Sequence, residues 1–168
     1  MSLAAVILAL VTLQRLAELV IAKRNTAALM ARGAVEHAPG HYPAIVVMHG
    51  LWLAGLWLLA HDAAVSWPLV VVFALLQAAR IWTIASLGDR WTTRIIVVPG
   101  AQPIRTGPYR YLSHPNYWIV IAEIAILPLA FGLPLFALAF SIANAILLTI
   151  RIRAENEALA GALEADRR

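Results

Sequence analysis

Residues 135–160 read L-F-A-L-A-F-S-I-A-N-A-I-L-L-T-I-R-I-R-A-E-N-E-A-L-A. No glycine or proline interrupts them, so they predict one continuous helix of about 26 residues, ~39 Å long. The hydrocarbon core of a bilayer is ~30 Å thick. The apolar part crosses it and the last turns project into water. On the projecting part Ile152, Leu159 and Leu163 share a face, placed to cover a polar loop or lipid headgroups. A helix of this kind needs partners of the same kind, which makes the chain an all-α, polytopic membrane helix bundle.

Working outward, four more apolar blocks lie upstream, at 3–22, 44–61, 68–87 and 114–131. Five transmembrane helices are therefore expected. The chain is 62% hydrophobic and 13% charged, against ~45–50% apolar for soluble domains. Its 168 residues suit a single domain, 1–168. Residues 23–43 read as a short amphipathic helix and a surface loop, and 88–113 as a long polar loop. Within that loop Thr92 to Val98 is β-branched and reads as extended. The first block is near signal-peptide length, but it carries Arg15 and Glu18 and no clean small-residue cleavage pattern. It reads as a retained helix.

With no cysteine, disulfides and cysteine metal sites are excluded. No His or carboxylate pair has metal-ligand spacing, so no metal is expected. A pI near 10.1 would suit nucleic acid, but the basic residues fall between apolar blocks, which points to membrane topology. Five spans put 23–43, 88–113 and the C-terminus on one side. That side holds Lys23, Arg24, Arg32, Arg90, Arg94, Arg105, Arg110, Arg151, Arg153, Arg167 and Arg168, and the opposite loops hold no Lys or Arg. The positive-inside rule assigns the basic side to the cytoplasm and the N-terminus to the outside.

Ionisable residues inside spans are functional candidates by default. Arg15 and Glu18, three apart, can pair on the first helix. Gln77 and Arg80 share the third, Glu123 sits mid-span on the fourth, and an Arg80–Glu123 contact would neutralise both. These pairs read more readily as structural than catalytic, and His49 as a satisfied bundle histidine. On the fifth helix Asn144, Arg151 and Glu155, seven and four residues apart, fall within ~40° and form one polar stripe. Arg151 and Arg153 are interfacial anchors in the plainer alternative.

The most punctuated passage is R-T-G-P-Y-R-Y-L-S-H-P-N-Y, residues 105–117. Thr106-Gly107-Pro108 reads as a turn. Ser113 stands where an N-cap belongs, with His114 and Pro115 in the first turn of the fourth helix. His114 would then sit beside free backbone N–H groups, a place for an anionic ligand group. The stripe of the fifth helix, the long loop and His114 all deliver polar groups to the same interface. That convergence suits a ligand with a polar part from the cytosol and an apolar part from the bilayer.

At these residues the chain resembles the isoprenylcysteine carboxyl methyltransferase family. The shared features are Gly107-Pro108-Tyr109, Ser113-His114-Pro115-Asn116-Tyr117 and Arg151-Ile152-Arg153-Ala154-Glu155-Asn156-Glu157-Ala158-Leu159. Ser113 and Asn156 depart from the family's usual Arg and second Glu. The resemblance implies S-adenosylmethionine as cofactor. It implies that Ala101, Gln102, Pro103, Ile104, Tyr109, His114, Pro115, Asn116, Tyr117 and Glu155 line it, and that Arg151 holds the methyl acceptor. Arg151 and Glu155 are the catalytic candidates.

The acceptor implied is a lipophilic molecule or prenylated protein, methylated on a carboxylate or a phenol or enol oxygen. The N-terminal half resembles small bacterial members, some of which are thought to methylate long-chain polyketide lipids. An inner-membrane location, with the active site toward the cytoplasm, follows from that likeness and the charge bias. A carboxylate acceptor needs no base. A phenol or enol needs one, with Glu155 and His114 as candidates, or a cation to stabilise its anion. The competing class is a non-enzymatic transporter subunit or lipid-binding scaffold, with Arg15, Glu18, Arg80 and Glu123 as a polar path. A reductase on a related helical layout is a third reading.

Overall fold

A computed structural model describes residues 2–102 and 104–165, with side chains to residue 158. Five long helices dominate it. They are α1 (Leu3–Ala31), α2 (Tyr42–Ala60), α3 (Trp67–Leu87), α4 (Pro115–Ala130) and α5 (Pro134–Ala165). The expected spans are found with ends shifted by a residue or two, except at the C-terminal ends of α1 and of α5, which runs five residues past the expected 160. Four of the five are long and apolar enough to cross a membrane. The exception is α4, a helix of 16 residues, or ~24 Å, shorter than the hydrocarbon core. Large side chains such as Leu10, Leu58, Leu75 and Leu135 are exposed around the bundle. Lipid covers such a surface without penalty.

Two local expectations are corrected. The first helix does not end near residue 22, and residues 23–31 form no separate amphipathic helix. That stretch has no Gly or Pro, so α1 runs on to Ala31. It stops at Gly33, whose φ of 84° places it in the left-handed region. The Gly33 and Ala34 amides then bond the carbonyls of Met30 and Leu29 at 3.0 and 3.1 Å, a Schellman stop. The second correction is at α4. Ser113 does not cap it. His114 occupies the cap position without a side-chain cap bond, and Pro115 opens the helix.

The expected extended segment within 88–113 is β2 (Ile95–Val97). It pairs antiparallel with β1 (Val35–His37), in the register Val35 to Val97 and His37 to Ile95. Arg94 ties the two together, 2.7 Å from Glu36. The 88–113 connection therefore has internal structure, including a 3-10 turn at Gly107–Arg110. The Ile152 face cannot be followed along α5, because the side chains of Leu159 and Leu163 lie outside the described residues.

The bundle is layered along its axis. At the end away from the basic loops, Leu8, Trp52, Leu56, Phe73, Ile124 and Leu127 form a dry core. There α2 and α5 approach closely, since a Cβ on Gly55 would lie 2.6 Å from the Phe136 ring. Toward the basic end follows a layer of buried charge, and beyond it the candidate site.

Candidate active site

Four side chains, from α4, its cap residue and α5, meet at the basic end. Tyr117, on the first turn of α4, is the hub. Its hydroxyl accepts a bond from Arg151 Nε at 2.9 Å and donates to Glu155 Oε2. The imidazole of His114 stacks on the Tyr117 ring, with centroids 5.1 Å apart and planes at 15°. Its Nδ1 lies 3.7 Å from Glu155 Oε1. Arg151 and Glu155 share a face of α5, as the spacing predicted, and they communicate through the Tyr117 hydroxyl. Arg151 Nη1 also donates to the Thr93 carbonyl at 2.8 Å. That carbonyl was not legible in the sequence, because nothing about a threonine in a loop marks its backbone oxygen as a partner. Arg153 is exposed.

Tyr109 is half-buried close by. Burial, reinforced by the charge of Glu155, pushes its phenol above the ordinary tyrosine range, so it stays a donor. Pro115 is buried at the helix start. Asn116 accepts from Arg80 Nη1 at 3.4 Å, so it faces the bundle interior. Ala101, Gln102 and Ile104 lie in irregular backbone after β2, and the Gln102 carbonyl accepts from Arg90 Nη1 at 2.7 Å. No side-chain hydrogen bond joins these three to the cluster among the described residues. Pro103 lies outside the described residues.

Beneath the cluster is a cavity of about 340 Å³, lined by residues of all five helices and by Trp91–Thr93. Arg151 and Tyr117 form one end of it, and apolar side chains form most of its wall. Leu16, Leu19 and Val46 line it and are also exposed, which marks an opening between α1 and α2 toward lipid.

The charged layer borders this cavity. Arg80 donates to both oxygens of Glu18 at 2.6 Å and lies 3.2 Å from Glu123. Arg15 bridges the same two carboxylates, at 3.0 Å from Glu18 and 2.7 Å from Glu123. Gln14 and Gln77 donate to them as well. The expected Arg15–Glu18 and Arg80–Glu123 contacts are both present, joined into one quartet with no net charge.

Residues 67–161, more than half of the chain, match the isoprenylcysteine carboxyl methyltransferase (ICMT) family. The chain belongs to that family. It is thereby an integral membrane protein of a methyltransferase family. Among its relatives is YpbQ of Bacillus subtilis (strain 168), an uncharacterized protein. The two are 40% identical over 158 residues, which cover 91% of this chain and 94% of YpbQ. An uncharacterized protein of Haemophilus influenzae (strain ATCC 51907 / DSM 11121 / KW20 / Rd) is 26% identical over 161 residues, covering 86% of this chain and 88% of the relative. No solved structure gives a comparable match. The matched region contains α3, α4 and most of α5, and so every residue of the Tyr117 cluster.

Proposed function

We propose that the protein is an S-adenosylmethionine-dependent O-methyltransferase acting on a lipophilic acceptor at the cytosolic face of the membrane. The observation that carries this reading is the Arg151–Tyr117–Glu155 chain at one end of a mostly apolar cavity. It puts a guanidinium and a carboxylate side by side where a lipid's polar head would stand.

The donor set fits the cofactor. A carboxylate at Glu155 suits ribose hydroxyls or a cationic group. The Tyr109 and Tyr117 rings suit an adenine face or a positively charged sulfur, and His114 at the start of α4 suits a carboxylate. When bound, the cofactor would supply a methyl group on a sulfonium. The chain's own residues do the positioning. Tyr117 holds the Arg151 side chain by its Nε, and Thr93 holds it by Nη1. Arg151 Nη2 has no partner among the described residues, which leaves it free for an acceptor oxygen. Transfer of this kind is governed by alignment and charge. The charges that a transport path would need are engaged with one another in the quartet.

The test is calorimetric binding of S-adenosylmethionine to the purified protein in detergent, followed by mass analysis of lipid extracts for the gain of one methyl. His114→Ala and Glu155→Gln are each expected to weaken cofactor binding while the protein stays folded. Parent-like binding by both variants sinks the site assignment.

A further inference from the structure

The cavity contains a second polar position away from Arg151, with hydrogen-bonding capacity that the described residues leave open. Asn144 on α5 is only 4% exposed and lines the cavity, and its amide makes no hydrogen bond among the described residues. An amide that faces a cavity in this way is open to the hydrogen bonds of a ligand. His49 on α2 lines the same cavity. Its Nδ1 lies 2.9 Å from the Ile45 carbonyl. A carbonyl can only accept, so Nδ1 carries the proton and Nε2 is left as an acceptor.

The two residues stand at one depth. Tyr42 and Arg151 both touch Thr93, through 3.1 and 2.8 Å bonds, which sets the level of α2 against α5. His49 is seven residues beyond Tyr42. Asn144 is seven residues back from Arg151 on the antiparallel helix. Each is therefore ~10 Å deeper, on the same face as its reference residue. The Gly55–Phe136 contact further along agrees with this register to within about two residues, ~3 Å. The wall around this level is apolar, from Ile45, Leu53, Val120 and Leu147.

We propose that Asn144 and His49 form a second recognition point for the acceptor, which holds a neutral hydroxyl ~10 Å from the oxygen placed at Arg151. This rests on the acceptor site proposed above. A hydroxyl donates to His49 Nε2 and accepts from the Asn144 amide, so one group completes both residues. A carboxylate has no proton for Nε2 and would bring a net charge beside a quartet whose charges already cancel. A plain prenyl or alkyl chain leaves both residues unpaired. The pair therefore selects a lipid that carries a hydroxyl within the membrane, and selects against an unadorned tail.

The experiment is equilibrium binding to the full chain in detergent of two probes, a long-chain fatty acid and the same acid with one hydroxyl ~10 Å down its chain. The hydroxylated acid is expected to bind on the order of 10-fold tighter or more. Asn144→Leu, of similar volume, removes that preference, and the ligand-free variant melts at a higher temperature than the parent. A purely structural asparagine would give the opposite shift. His49→Phe reduces the preference as well. Equal affinities in the parent overturn the proposal, as does failure of both acids to bind, or a preference that survives both substitutions. Binding of S-adenosylmethionine, measured on the same samples, tests the proposed function separately.

Discussion

Arg151 is the residue on which the proposed acceptor site turns. Two of its nitrogens are fixed by Tyr117 and Thr93, so the guanidinium plane is set before any ligand arrives. An oxyanion can then meet the remaining nitrogen without ordering the side chain, a preorganised arrangement that a flexible ammonium does not reproduce. Arg151→Lys and Arg151→Ala are expected to retain cofactor affinity and lose methyl transfer by on the order of 10²-fold or more. Arg153, exposed and ~200° around the helix, should tolerate Ala with much less loss. Calorimetry and a transfer assay on a long-chain acceptor measure the two effects, and equal tolerance at 151 and 153 reduces Arg151 to an anchor. At this scale the sequence told a good deal. Arg151 and Glu155 could be placed on one face because helical periodicity is local. The Tyr117 hydroxyl between them, the Thr93 carbonyl and the open valence of His49 depend on how distant segments pack, and no spacing reveals that.

Between elements, the quartet joins α1, α3 and α4 at mid-depth. Glu123 is 1% exposed, Arg80 6% and Glu18 7%. Four charges in so dry a place persist only because each carboxylate meets both guanidiniums. Glu123→Gln leaves two cations against one anion, and breaking a buried pair in this way costs about 3–5 kcal/mol. A clear fall in thermal midpoint in detergent is expected. Arg15→Met combined with Glu123→Gln restores neutrality and leaves the two-pronged Arg80–Glu18 pair, so the double variant should be more stable than Glu123→Gln alone. If the double variant melts lower than the single, the destabilisation is not one of unbalanced charge. The pairing of Arg15 with Glu18 was legible from a separation of three. That α1 and α3 would meet through Glu18 was not, since it depends on the crossing of two long helices. The end of α1 is hidden in the sequence for a related reason. Lys23, Arg24 and Asn25 look like the edge of a membrane span, but polarity does not stop a helix, and Asn25 instead bonds the carbonyls of Gly88 and Trp91 at 3.1 and 2.9 Å. The stop came where backbone geometry demanded it, at Gly33.

Over the whole molecule, the two ends of the bundle differ in chemistry. One end has a dry core, with the exposed pair His61 and Asp62 at 2.8 Å. The other holds the Tyr117 cluster, the β1–β2 clip and, among the described residues, every Lys or Arg outside the quartet. Exposed tryptophans mark both levels, Trp67 at the start of α3 and Trp82 and Trp118 toward the basic end. Trp67 and Trp82 are ~22 Å apart along their helix, as expected of aromatic belts bounding an apolar band. The short α4 begins at the basic end and carries His114 and Tyr117 into the site. A cofactor made in the cytosol can reach that end directly if the basic side faces the cytosol, the orientation that the positive-inside rule favours. The prediction is therefore that position 62 is reached from outside, and positions 100 and 110 from the cytoplasm. The chain contains no cysteine, so single cysteines at these positions report without background when intact cells are treated with a membrane-impermeant maleimide. Labelling at 62 alone is the expected result. Labelling at 100 in intact cells would invert the bundle, put the Tyr117 cluster on the face away from the cofactor pool, and remove the topological basis of the proposed reaction.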